Sequence, residues 1–144
     1  MNKILVVDEE KAIGMLYQEE LMEEGYDVST TSDYDMLEEI ITEKEPDLLV
    51  MDVNQNGSAG LDILQKIRTS FKDIPVILCT AFDELKEDAR ISGADYFMLK
   101  SMDLTRLKDN IRSALELGKR RSVKELRWPP ANILYPLALS IPVL

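Results

Sequence analysis

The stretch LLVMDVNQNGSAG, residues 48–60, runs four apolar side chains straight into Asp52 and then into a polar, glycine-containing loop. An unbroken apolar run suits a strand buried on both faces, as in a parallel sheet covered by helices on either side. The carboxylate at its end has two readings. Asp52 either caps the helix that begins near Gly60 or belongs to a site built at the strand ends. The rest of the chain decides between them.

Working outward, three further runs share the pattern, at residues 4–7, 76–79 and 96–99, while residues 26–30 alternate and read as an edge strand. Between the runs lie segments of helical period. Ile13, Leu16 and Tyr17 form one stripe, Leu37, Ile40 and Ile41 a second, Leu61, Leu64 and Phe71 a third, and Leu104, Leu107, Ile111 and Leu115 a fourth. A helix is also expected over residues 83–92, on a segment poor in apolar residues. Turn signals fall at Gly25, Pro46, residues 73–75 and Gly93. Five strands alternating with five helices describe an α/β three-layer sandwich with right-handed crossovers.

In such sheets the functional crevice lies beyond the carboxyl ends of the strands. Those ends deliver Asp8 and Glu9 from the first strand, Asp52 from the third, Thr80 from the fourth and Lys100 from the fifth. Three carboxylates, a hydroxyl and an ammonium on one edge make a set of hard oxygen ligands for Mg²⁺ beside a cationic group. With a cation bound, Asp52, at the end of a central strand, is placed to attack phosphorus, with Asp8 and Glu9 as metal ligands. Lys100 and Thr80 would then take up charge on the phosphoryl oxygens.

Composition narrows the field. The chain has 144 residues, 45% hydrophobic and 31% charged, which fits one folded domain. Its net charge of −10 is unevenly spread. Residues 118–127, GKRRSVKELR, hold five of the 17 basic and one of the 27 acidic residues, so residues 1–117 carry 12 positive and 26 negative charges, a net of −14. An acidic body argues against nucleic acid as the partner. With no histidine, neither a catalytic triad nor a histidine metal ligand is possible within this polypeptide. The lone Cys79 reads as a small buried hydrophobe, and MNKILVVDEE lacks the apolar stretch of a signal peptide, so a cytoplasmic location is expected.

At the strand ends the sequence resembles the response-regulator receiver family of two-component signalling. The matching pieces, in order, are ILVVDE, MDVNQNGSAG with Gly60 eight residues after Asp52, CTA, and GADYFMLK. The resemblance covers roughly residues 1–118, with residues 119–144 as a basic segment and an apolar, proline-rich tail on a stand-alone receiver. It implies a flavodoxin-like, CheY-like fold with strand order 2-1-3-4-5. It also implies Asp52 as phosphoacceptor and Mg²⁺ held by Asp8, Glu9, Asp52 and the Asn54 carbonyl. Thr80 and Phe97 would form the switch pair, and Asn54 and Phe82 would flank the water that attacks the phosphoryl group. The partners it implies are a sensor histidine kinase or a histidine phosphotransfer protein as donor, and a downstream protein target.

Four positions depart from the family pattern. Glu9 stands where aspartate is commoner, Asn56 where the loop has proline, Ser101 where proline follows the lysine, and Phe97 where tyrosine is usual. Without proline a cis Lys100–Ser101 bond would cost about 3 kcal/mol, leaving either a trans bond or one held strained by packing. These departures motivate an alternative, a receiver-like interaction module that signals without phosphorylation. A metal-dependent phosphatase of related fold is a third reading. Asn54 occupies the place where such an enzyme needs an acid, and no cap-sized insertion is present.

The tail RWPPANILYPLALSIPVL, residues 127–144, carries four of the six prolines. It is too short and broken to span a bilayer. A basic cluster beside apolar residues suits an anionic lipid surface, but the tail lacks helical periodicity, so membrane contact is the minor option. Its apolar residues are expected instead to dock on protein, with a homodimer through the C-terminal region as the leading arrangement.

Overall fold

The computed structural model describes residues 1–53 and 58–127. Asn54, Asn56 and the tail from Trp128 lie outside the described residues, and with them the expectations of a carbonyl metal ligand and a C-terminal dimer contact. Along the chain come β1 (Lys3–Val7), α1 (Lys11–Glu23), β2 (Asp27–Thr31), α2 (Leu37–Lys44), β3 (Leu48–Asp52), α3 (Ser58–Ser70), β4 (Val76–Thr80), β5 (Tyr96–Leu99) and α4 (Thr105–Arg127). All strand pairs are parallel, and the order is β2-β1-β3-β4-β5, as the resemblance implied.

The apolar runs are continuous because each strand feeds two cores. Ile4, Val6, Leu48, Val50, Ile77 and Cys79 face α1 and α4, while Leu5, Val7, Leu49, Met51, Val76 and Leu78 face α2 and α3. Burying such a side chain contributes about 1.5–3 kcal/mol, so the central strands anchor the domain. Burial also pushes the Cys79 thiol up to about 12, consistent with a packing role. On α1 the expected stripe is shifted. Tyr17 and Leu21 are buried, whereas Leu16 is exposed.

The helix expected over residues 83–92 is absent. Two 3₁₀ turns, Asp83–Glu87 and Ala89–Gly93, replace it, giving four α-helices among the described residues rather than five. The break is at Asp88, whose backbone is extended and whose carboxylate accepts from the Arg90 amide at 2.9 Å, restarting the chain as a second turn. The Arg90 guanidinium folds back onto Asp88 and reaches Asp62 on α3 at 2.8 Å. Gly93 then packs so closely that a Cβ there would meet Leu64 Cγ at 3.2 Å. Local polar pairing thus outcompetes a helix that has only Leu85 and Ile91 to bury.

α4 continues through Gly118 and the basic segment to Arg127. No described peptide bond is cis, so the Lys100–Ser101 bond is trans. Among the described residues no helix is long and apolar enough to cross a membrane.

Candidate functional site

Parallel strands end their ladders at different heights, and the side chains just beyond form a shallow acidic cluster. Asp8 follows β1, its amide still bonded to the Thr31 carbonyl of β2 at 3.1 Å. One carboxylate oxygen accepts from the Glu10 amide, just ahead of α1, at 2.9 Å. The other takes a hydrogen bond from the Lys100 ammonium at 3.0 Å. The same ammonium lies 2.9 Å from Asp52 Oδ1. Lys100 is brought there by β5, whose end is tied to β4 through Lys100 N–H to the Thr80 carbonyl at 2.7 Å. Three sequence-derived residues on three strands, Asp8, Asp52 and Lys100, therefore meet at one point.

The point is dry. Asp8 is 3% and Asp52 6% exposed. Burial, first of all, raises the Asp52 carboxyl to about 6; the hydrogen bond from Lys100 pulls the other way, and the charge of Asp8 adds to the rise. Burial on its own would lower Lys100, but its bonds to Asp52 and Asp8 prevail and hold it above the ordinary lysine range. With Glu9, three carboxylates stand against one ammonium.

Thr80 is fully buried at the end of β4, its hydroxyl donating to the Val53 carbonyl at 2.7 Å and accepting from the Phe82 amide at 3.1 Å. Phe97 is half-buried on β5, paired in register with Leu78 and packed on the α2/α3 side of the sheet, the face that Leu78 shares. Phe82 is half-buried and precedes the first 3₁₀ turn. Glu9, by contrast, is exposed at the rim.

The donor set suits a hard divalent cation. Asp8 and Asp52 offer carboxylate oxygens in a cluster whose formal charge, with Glu9 and Lys100, is −2. Among the described residues no three acidic groups are already gathered around a point where an ion would sit, so Glu9 would have to turn inward.

Sequence reasoning missed one member of this neighbourhood. Tyr34, between β2 and α2, donates its hydroxyl to the Asp52 carbonyl at 2.7 Å, with the Val7 carbonyl at 3.4 Å. Burial and the surrounding carboxylates, Asp52 foremost among them, push its phenol far above the usual range. No periodicity flags a single aromatic in a turn.

Comparison with known proteins agrees with this fold. Residues 4–112 match the family model described as the response regulator receiver domain. Sporulation initiation phosphotransferase F of Bacillus subtilis is 30% identical over 118 residues, covering 81% of this chain and 95% of that protein. Response regulator protein TrrA of Thermotoga maritima, solved in complex with Mg²⁺-BeF, is similar at TM-score 0.74 and 33% identity, over 79% of this chain and 99% of that one. A structure of histidine kinase ThkA in complex with TrrA matches at TM-score 0.73 and 34% identity, over 80% of this chain and 99% of the matched one. With a family model spanning most of its length and strand ends that bring an acid pair, a third aspartate and a lysine to one edge, this chain belongs to the response-regulator receiver family.

Proposed function

We propose that the chain accepts a phosphoryl group on Asp52 from a phosphohistidine of a sensor histidine kinase or histidine phosphotransfer protein, and that the modification changes its binding to a downstream protein. What supports this reading above all is the Lys100 ammonium held between Asp8 and Asp52, at 3.0 and 2.9 Å, at the buried carboxyl end of the sheet. The relative solved with Mg²⁺-BeF and the one solved with a histidine kinase supply the comparison.

An Asp52 carboxylate oxygen attacks phosphorus, forming an O–P bond as the donor's N–P bond breaks and its electron pair returns to the imidazole nitrogen. Mg²⁺ held by Asp8, Glu9, Asp52 and the Asn54 carbonyl would neutralise charge on the phosphoryl oxygens. Lys100 leaves its shared position between the carboxylates to bind one phosphoryl oxygen. Thr80 has one proton, now given to Val53 O. Donating it to a phosphoryl oxygen releases that carbonyl and vacates space on the face that Thr80 shares with Phe97. The aromatic ring follows, and a partner reads the change. Reversal is attack of water on phosphorus, giving inorganic phosphate and free Asp52. As the resemblance implies, Asn54 and Phe82 would flank the water's path, and the chain promotes only its own modification and its hydrolysis.

Residues 1–118 carry this function, and residues 119–144 form an extension suited to a protein contact, including a second copy of the chain. Transfer of label from a phosphohistidine donor to the full chain tests the reading. The expected product is labile to hydroxylamine and absent in Asp52→Asn. Binding to a partner that is indifferent to both donor and Asp52→Asn would favour the phosphorylation-independent module instead.

A further inference from the structure

The β1–β3 ladder runs out at the acceptor. Its last register pair is Val7 with Met51, so Asp52 stands one residue past the end of β1, while on the other side β3 still pairs Asp52 with Cys79 of β4. In a parallel ladder that last pair is closed by the Asp52 amide on the Val7 carbonyl, so the Asp52 carbonyl is the first group past it. At this seam lies the Tyr34 hydroxyl, 2.7 Å from the Asp52 carbonyl and 3.4 Å from that of Val7. The hydroxyl therefore gives the Asp52 carbonyl a donor just past the last β1–β3 pair, as a further rung of the ladder would.

Tyr34 is itself held. The Asp33 amide donates to Thr31 Oγ1 at 3.0 Å, Asp33 Oδ1 accepts from the Met36 amide at 3.2 Å, and the Tyr34 carbonyl accepts from the Leu37 amide at 3.3 Å. The ring packs on the α2/α3-side core. A turn fixed at both ends thus aims one hydroxyl at the main chain behind the acceptor.

We propose that Tyr34 is a positioning residue for phosphoryl transfer, its hydroxyl closing the β1–β3 seam and so fixing the Asp52 backbone from which the acceptor carboxylate projects. The inference rests on Asp52 being the acceptor. In-line attack is sensitive to displacements of a fraction of an ångström, so freeing the Asp52 carbonyl slows the transfer without altering recognition of the donor.

The test uses the full chain with Mg²⁺ and acetyl phosphate, comparing wild type, Tyr34→Phe, Tyr34→Leu and the core truncation Ile41→Val at a temperature where circular dichroism shows all four folded. Tyr34→Phe should lower the maximal uptake rate roughly three- to tenfold with the half-saturating donor concentration unchanged, Tyr34→Leu at least as much, and Ile41→Val should keep the wild-type rate. Uptake by Tyr34→Phe at the wild-type rate, or an equal loss in Ile41→Val, would overturn the proposal. Amide hydrogen exchange at Val53 reads the same hold without chemistry. It should accelerate in Tyr34→Phe and not in Ile41→Val; unchanged exchange overturns the proposal on its own. If wild type takes up no phosphate, the acceptor reading fails, and the Val53 exchange still decides whether Tyr34 fixes this main chain.

Discussion

At the carboxyl end of the sheet Lys100 faces two buried carboxylates, while at the amino end Arg68 faces carbonyls. The Arg68 guanidinium bonds to the carbonyls of Gly93, Lys72 and Ile74 at 2.8, 3.0 and 2.9 Å, to that of Phe71 at 3.4 Å, and to Asp95 at 2.8 Å. Asp95 in turn accepts from the Val76 amide at 2.8 Å, so α3, the turn after it, the second 3₁₀ turn and the entries to β4 and β5 share one hub. That end is satisfied: each nitrogen of a planar fork has an acceptor, and Asp95 balances the charge. The other end is not. One ammonium serves two buried carboxylates with a third at the rim, and one of the two, Asp52, is raised to about 6. The satisfied end holds the fold, and the end with surplus negative charge is left able to take a cation and a phosphoryl group.

The contrast sharpens first on chemistry. Lys100→Ala should reduce phosphoryl uptake by about 10²–10³-fold, the scale for losing one preorganised donor to a developing anion, measured as the rate of mass gain with acetyl phosphate. Arg68→Ala should leave the rate, scaled to folded protein, unchanged. Equal effects of the two would erase the functional distinction between the ends.

It sharpens next on stability, where the two ends should move in opposite directions. Asp52 fits the fold better when neutral, so the stability it contributes is fully present below its ordinary value of 3.8 and is lost as pH rises through about 6. With metal chelated, Asp52→Asn should therefore stabilise the chain at pH 7 by up to about 3 kcal/mol. That gain should shrink as pH falls from 6 towards 4, as read by denaturant melts across pH. A loss at pH 7, or a gain that grows on acidification, would contradict the surplus-charge account.

Arg68→Ala should cost about 2 kcal/mol, since several carbonyls and Asp95 lose a shared donor at a partly solvated site. Arg68→Lys should recover less than half of that, because an ammonium cannot occupy the fork. Full recovery by lysine would reduce the hub to a simple charge. The smallest effect falls on a turn at the amino end that takes no part in the Arg68 hub. Glu45, at the C-terminus of α2, has φ of 50° and ψ of 57°, so Glu45→Gly should gain about 0.5–1 kcal/mol in the same melts. A loss there would show that the left-handed backbone carries no strain.

The two ends were unequally legible in the sequence. Asp8, Asp52, Thr80 and Lys100 could be read because each terminates an apolar run, and a parallel sheet brings such termini to one edge. Tyr34 and Arg68 could not, because both bond to main-chain carbonyls that leave no trace in residue type or spacing. The strands were legible because both faces are buried. The helix expected over residues 83–92 failed because Asp88 and Arg90 satisfy each other locally, a preference that hydrophobic period does not register. Leu16 was placed in the core, where Leu21 belongs, by a stripe drawn from three residues when a fourth, one turn on, sets the face.

The most direct test of the central claim is the intact mass of the full chain after incubation with Mg²⁺ and acetyl phosphate. The account predicts a gain of one phosphoryl group, abolished by EDTA and by Asp52→Asn. An unchanged wild-type mass, or a gain that persists in Asp52→Asn, would contradict it.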